Sequence, residues 1–185
     1  LEISADRGIS FYFSLDNYRF LFEDNLYWIS YFKSIKIAFI STLFCLLIGY
    51  PMAYAIARSS GVWRNILLFL VILPFWTSFL LRVYAWMGML STKGFINKAL
   101  LSIGLIDQPL KLLYTDFAVY LGIVYSYLPF MILPLYAILE KLDFDLLEAA
   151  SDLGGRPLVV FRDVTLPLSL PGIIAGSLLV FIPAL

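Results

Sequence analysis

LDFDLLEAASDLGGRPLVVFRDVTLP, Leu142 to Pro167, decides how the rest of the chain is read. It is the long interruption of an otherwise apolar sequence in which charges are most densely packed. Acids and arginines are interleaved with Leu, Val and Phe at helical spacing. Asp143 or Asp145 is placed to cap a short helix running through Leu146, Leu147, Ala149 and Ala150. An early carboxylate satisfies unpaired N–H groups and suits the positive helix end. Gly154 and Gly155 stop that helix, because glycine accepts the left-handed conformation past a helix end at little cost. Pro157 can open a second short helix at its first position. Leu166-Pro167 is expected to close it, since the residue before proline avoids the helical region. The stretch therefore reads as a helix–turn–helix between two apolar segments, presented for contact.

The composition explains the apolar segments. Hydrophobic residues make up 62% of the chain and charged residues 14%, which is too apolar for a domain with a fully polar shell. Twelve Tyr, four Trp and sixteen Phe fit a membrane protein with aromatic residues at its interfaces. The net charge is zero, so nothing points to nucleic acid. The single cysteine, Cys45, cannot form an internal disulfide and reads as a small core or lipid-facing residue. With no His and no Cys pair, most metal sites and nucleophile–His pairs are excluded, and no catalytic residue is assigned. The sequence starts at Leu1 rather than Met and stops at Leu185 within an apolar run, so it reads as a fragment of a longer membrane protein, with no signal peptide visible.

Residues 1–33 mix charges with Phe, Tyr and Trp and read as an interfacial segment, with Ser14 or Asp16 capping a short helix. A first span is expected over 34–57, narrow in its second half through Gly49, Pro51, Ala53, Ala55 and Ala57. A polar turn, Ser59 to Asn65, leads to a second span over 66–90 with Pro74 near its middle. Arg82 lies toward its far end, as a functional intramembrane charge or as an arginine snorkelling to the interface. Residues 91–115 form a polar loop whose middle, Ala99 to Ile106, suits a helix lying on the surface. A third span is expected over 117–139. Its Pro129 and Pro134 leave backbone carbonyls that must face protein or a wet cavity. Tyr125, Ser126 and Tyr127 beside that break are candidate pathway residues or simply packed tyrosines and serine. A fourth, incomplete span covers 168–185. The expected fold is an all-α membrane protein, a polytopic helical bundle. Lys and Arg are about equally numerous on both sides, so charge does not orient it.

Within the opening stretch, Glu148-Ala149-Ala150, Gly154 and Val164-Thr165-Leu166-Pro167 follow the spacing E-A-A-x3-G-x9-V-x-L-P. This resembles the EAA loop of the permease subunits of ABC importers, with Val164 where isoleucine is common. GYPMAYAIAR (Gly49–Arg58), ILPFWTSFLLRVYAWMGMLSTKG (Ile72–Gly94), YLPFMILPLYAILEKLD (Tyr127–Asp143) and LPGIIAGSLLVFIPA (Leu170–Ala184) look like the polyamine branch, the putrescine and spermidine importers.

The resemblance implies a permease-type bundle in the bacterial inner membrane. Against the family's usual six spans, this chain would lack the first, the end of the fifth and the sixth. Residues 1–33 would follow the missing span, and 34–185 would be the transmembrane permease domain with 140–167 as its cytoplasmic coupling loop. Residues 91–115 would face the periplasm. Glu148, Ala149, Ala150 and Gly154 would dock an ATPase subunit, and Leu166-Pro167 would end the element. The implied partners are ATPase subunits, a second homologous permease, a periplasmic polyamine-binding protein and membrane lipid, with no nucleic acid.

No G-x-x-x-x-G-K-[ST] loop is present, so ATP and Mg would be bound by a partner and this chain would carry no cofactor. A polyamine needs aromatic faces along its route. Trp76, Tyr84, Trp86, Tyr125 and Tyr127 can supply them, while acids must come from loops, missing helices or a partner. Two other readings stay open, a permease for another small organic solute and an ion-coupled secondary transporter. The second is disfavoured because such proteins place Asp, Glu or His inside their spans, and these span interiors hold none. A membrane enzyme lacks a catalytic cluster, and a plain scaffold leaves the whole EAA spacing unexplained.

Overall fold

A computed structural model describes residues 25–185, so the cap expected at Ser14 or Asp16 lies outside the described residues. Regular structure among these residues is helical throughout. We label α1 Asn25–Arg58, α2 Gly61–Ile72, α3 Phe79–Leu90, α4 Phe95–Ser102, α5 Asp116–Leu139, α6 Phe144–Asp152, α7 Pro157–Val160 and α8 Leu166–Ala184. A 3₁₀ turn, Leu73–Trp76, follows α2, and a π turn, Phe161–Thr165, joins α7 to α8. Two compact units divide within α1, at Lys36 and Ile37. In the first, Leu26 to Lys33 are exposed and Trp28 stacks on Phe32 at 6.3 Å between ring centroids. The second, Ile37–Leu185, holds the core.

Three helical stretches are long and apolar enough to cross a membrane: Leu26–Arg58, Asp116–Leu139 and Pro157–Ala184. A bent pair, Gly61–Trp76 with Phe79–Ser102, makes a fourth if it is one span. Three of the four expected spans are therefore matched by long apolar helices and the second by the bent pair, with three changes. Helix α1 begins at Asn25 rather than Ser34, so the expected boundary at residue 33 falls inside a helix. The expected second span is not one rod but is bent by 92°. Its helix begins at Gly61, leaving only Ser59 and Ser60 as the turn. Proline explains the bend. Pro74 brings no N–H to the ladder, and the chain leaves the helix three residues later. Thr77 then closes the end, donating its backbone N–H and its hydroxyl to the Pro74 carbonyl at 3.3 and 2.8 Å.

The third change is at Leu166-Pro167, which does not close the second short helix. Leu166 stays helical at φ −63° and ψ −49°, and the chain continues into α8. The widened turn Phe161–Thr165 carries the chain past the proline, with the Leu166 N–H reaching the Phe161 carbonyl. An α-turn would press the Pro167 ring against the carbonyl four residues back, and the extra residue of a π turn relieves that clash.

The core is built on α5, which meets α8 along much of its length and receives one face of α1. Ala38, Ser41, Cys45, Gly49, Ala53 and Ala57 recur every three or four residues on α1 and are buried. Small residues allow close helix approach where apolar transfer adds little, as in lipid. Met131 of α5, fully buried, shows how close. A methyl group on Gly49 would lie 3.0 Å from its Cγ, and one on Gly176 of α8 2.8 Å from its Sδ. Tyr50 ties α1 to α8 by donating to Ser169 Oγ at 2.9 Å, while Ser169 spends its own proton on the Leu166 carbonyl.

The loop 91–115 carries a surface helix, α4, placed four residues earlier than the expected Ala99–Ile106. Its organiser is Asn97, 1% exposed, an amide unremarkable in sequence. Asn97 Nδ2 donates to the carbonyls of Ser91 and Leu110, and its Oδ1 accepts from Leu110 N at 2.8 Å. One buried side chain thereby fixes both arms of the loop. Asn97 makes three bonds that a sequence reading has no means to pair.

Candidate coupling element and aromatic cleft

The residues after α5 turn sharply and enter α6. Of the two acids proposed as caps, Asp143 holds the position, its Oδ1 accepting from Asp145 N at 3.1 Å. Asp145 sits in the first turn, where a carboxylate suits the positive helix end. At the other end the two glycines have different duties. Gly154 adopts φ +88°, and its N–H bonds the Ser151 carbonyl at 2.9 Å. Gly155 N–H bonds the Ala150 carbonyl at 3.2 Å, completing the paired bonds of a Schellman closure. A methyl group on Gly155 would lie 2.6 Å from that carbonyl. Gly154 thus supplies the left-handed conformation, and Gly155 the space. Pro157 opens α7 at its first turn, as expected.

This element is anchored on one face and bare on the other. Leu147, Val160 and Thr165 are buried, and Phe161 packs edge-on against Tyr50 and Tyr54 at 5.6 and 6.4 Å. A polar cleft of about 410 Å³ between the element and the end of α1 includes Tyr54, Arg58, Glu148 and Asp152 in its wall. Arg58 Nη2 donates to Tyr54 Oη there at 2.7 Å. Outward stand Leu153, 91% exposed, and Leu158, 82% exposed. Glu148, Ala149 and Gly154 are exposed beside them, and Ala150 is half-buried. Leucines this exposed are not there to stabilise the isolated chain; an apolar patch rimmed by charge is the usual mark of a contact surface. Sequence reasoning named the spacing residues and missed Leu153 and Leu158. Their signal was present, as apolar residues flanking a Gly-Gly turn inside a charged stretch.

The other expected site lies toward the opposite end of α5. A cleft of about 360 Å³ runs between α3, the first half of α5 and the last residues of α8. Trp86, Tyr125, Ser126 and Tyr127 all line it, and Trp86 meets Tyr125 edge-to-face at 5.4 Å. Trp76 and Tyr84 do not join them. Trp76 is 82% exposed at the Pro74 break, and Tyr84 is 67% exposed. Tyr84 is two residues from both Arg82 and Trp86, so roughly 200° of helix turns it away from the cleft. Arg82 lines the cleft instead. Its guanidinium carbon sits 5.8 Å from the Phe79 ring centroid, and its buried Nε finds no acceptor among the described residues. Among the described residues no carboxylate lines this cleft. The described residues also contain no cluster of His, Cys, Asp or Glu that could hold a metal ion.

Comparison with known proteins gives this arrangement a family. The chain is 50% identical over 173 residues to the spermidine/putrescine transport system permease protein PotB of Escherichia coli (strain K12), covering 94% of this chain and 62% of that protein. It is 47% identical over 181 residues to the protein of the same name from Haemophilus influenzae, covering 96% of this chain and 63% of that one. It is 33% identical over 148 residues to the molybdenum transport system permease protein ModB of Mycobacterium bovis, covering 80% and 54%. The chain thus spans somewhat over half the length of the curated relatives it matches. Residues 26–185 match the family model described as binding-protein-dependent transport system inner membrane component. The match takes in every helix from α1 to α8, and the long apolar helices give it a multi-pass place in the inner membrane: this chain belongs to the family of binding-protein-dependent transport system inner membrane components.

Proposed function

We propose that this chain is part of the membrane-spanning subunit of an ATP-driven importer that takes polyamines, putrescine or spermidine, from a periplasmic binding protein to the cytoplasm. The observation that carries the reading is the element Asp143–Val160. It is capped at its start, closed by the Gly154–Gly155 pair, anchored through Phe161 and bare at Glu148, Ala149, Leu153 and Leu158. A stiff element rooted in two membrane helices can transmit the rigid-body movement of a partner into the bundle. The partner is a separate ATPase that binds ATP and Mg. Glu148, Ala149, Ala150 and Gly154 meet it, and Leu166-Pro167 marks the π turn by which the element joins α8. A second permease subunit completes the path. The cargo follows from relatives about half identical in sequence that are named for spermidine and putrescine. Trp86, Tyr125 and Tyr127 offer it aromatic faces, each cation–π contact adding roughly 0.5–2 kcal/mol.

One observation favours a second reading of the cargo. Among the described residues the aromatic cleft has an arginine in its wall and no acid, which suits an anion or a neutral solute better than a polycation, and one relative is named for molybdenum transport. The test is co-purification of the full-length subunit with its ATPase, followed by ATPase stimulation in the presence of the loaded binding protein. Stimulation by putrescine or spermidine and not by molybdate supports the first reading. Stimulation by molybdate alone supports the second, and a subunit that purifies with no ATPase overturns both.

A further inference from the structure

The coupling element and the aromatic cleft share no residue, yet one ion pair lies where movement of the first can reach the second. Arg64, in the first turn of α2, donates from Nη1 to Glu140 Oε1 at 2.7 Å, across 76 residues of sequence. The same guanidinium donates from Nε to the Ser59 carbonyl at 3.0 Å, so it also grips the turn that precedes α2. Glu140 caps the end of α5, its N–H bonded to the Tyr136 carbonyl at 2.8 Å. It stands three residues before Asp143, the cap of the coupling element. The Arg64–Glu140 pair therefore binds α2 to the root of that element.

Helix α2 also packs on the core through Val71, with Leu67 and Leu68 partly buried beside it, and Phe75 of the following 3₁₀ turn meets Phe130 of α5 edge-to-face at 5.1 Å. Between α2 and the α1–α5 pair lies an open apolar cleft of about 390 Å³, with Leu67 and Val71 on one wall and Leu128 and Ile132 on another. Both ends of α2 are jointed. Gly61 adopts φ +57° at its start, and Thr77 is extended beyond its end, where the chain bends by 92°. Past that joint begins α3, which carries Arg82 and Trp86 into the aromatic cleft.

We infer that α2 is a strut, pinned to the coupling element by Arg64–Glu140, that carries movement of the element to the α3 wall of the aromatic cleft. This rests on the coupling role proposed above. Arg64 and Glu140 are positioning residues, touching neither cargo nor nucleotide. A half-exposed ion pair contributes little to stability, so its effect lies in which parts move together.

The test uses the full-length subunit assembled with its ATPase and second permease in proteoliposomes. Arg64→Glu and Glu140→Arg are each expected to lower uptake per ATP hydrolysed about five- to tenfold with ATPase still bound. The double exchange is expected to recover uptake per ATP to within about twofold. Arg64→Gln and Glu140→Gln break the pair without repulsion and are expected to act in the same direction. A second readout follows α3 directly. In a Cys45→Ser background, Tyr84→Cys at this exposed position is expected to react with maleimide at a rate that changes with ATP. That change is expected to vanish in Arg64→Glu and return in the double exchange. Unaltered uptake per ATP in the single variants, or a double exchange no better than either, overturns the strut. An unsubstituted subunit that fails to hold its ATPase overturns the coupling reading itself, so the two failures are distinguishable.

Discussion

The coupling element and the aromatic cleft sit toward opposite ends of α5 and are built on opposite plans. The element is finished within itself. Its cap, its Schellman closure and its anchor at Phe161 are all satisfied, and its bare face carries Leu153 and Leu158 beside exposed Glu148. Among the described residues the cleft is unfinished, with an arginine Nε lacking an acceptor and aromatic walls with no acid opposite. A finished surface with exposed leucines is ready to meet a preformed partner. An unfinished polar site needs a group from elsewhere, because a buried donor without an acceptor costs about 1–3 kcal/mol. Substitutions should therefore act sharply and locally in the element, and more mildly in the cleft.

The largest expected effect is at Gly154. Gly154 and Gly104 both have positive φ, +88° and +70°, and neither has an atom within 4 Å of a built methyl group. Aspartate at either position carries a similar local strain of about 1–2 kcal/mol. Only Gly154 lies on the proposed ATPase contact. Gly154→Asp is expected to lower uptake at least about tenfold, a loss equivalent to some 1.4 kcal/mol, while Gly104→Asp leaves uptake near normal at similar membrane abundance. Equal losses from the two would mean that strain, and not contact, sets the outcome.

Next come the exposed leucines. Leu153→Asp and Leu158→Asp alter side chains that contribute almost nothing to the isolated fold. Each is expected to leave thermal stability unchanged and to weaken ATPase retention by about 1–2 kcal/mol, as truncation of an apolar contact residue commonly does. Retention is read by co-purification at graded detergent concentration. A drop in melting temperature without loss of the ATPase would place these leucines against another part of the same protein.

How much of this was legible differs between the two sites for physical reasons. Caps, glycine stops and a helix-opening proline are local devices, so a cap at Asp143 or Asp145, the stop at Gly154 and Gly155 and the start at Pro157 could be read from their neighbours alone. The end assigned to Leu166-Pro167 failed because proline's avoidance of the helix is a preference that a π turn can absorb. The cleft depends on which helix faces which. Trp76, Tyr84 and Trp86 looked equivalent along the chain until the break at Pro74 left Trp76 outside and the helical phase of α3 turned Trp86 onto Tyr125 and Tyr84 away. The Arg64–Glu140 pair spans 76 residues and has no local signature at all.

The aromatic wall gives a smaller effect. Trp86→Ala removes one aromatic face from the cleft, a cation–π contact worth about 0.5–1 kcal/mol, so the concentration of cargo at half-maximal uptake is expected to rise about two- to fivefold. Tyr84→Ala, on the same helix but outside the cleft, is the control and should leave that concentration unchanged. A larger response from Tyr84 would move the path to the outer face of α3.

The smallest expected effect separates the element from the span that carries it. Pro167→Ala restores an N–H that can bond the Asp163 carbonyl and allows the turn Phe161–Thr165 to relax toward a regular α-helix. Removing a helix-interior proline that the π turn already accommodates should change stability little, by well under the roughly 3 kcal/mol a misplaced proline costs. The geometric consequence is larger, because closing a π turn shifts the residues before it by one position around the helix. Glu148, Leu153 and Leu158 would then be re-aimed while each keeps its chemistry. Uptake per ATP should fall modestly with ATPase binding and melting temperature nearly unchanged. Hydrogen exchange at residue 167 reports whether the new bond has formed. A protected amide with unaltered uptake would show that the element's register on α8 is immaterial. An unprotected amide with unaltered uptake would show that the π turn is held by Phe161 against Tyr50 and Tyr54 rather than by the proline.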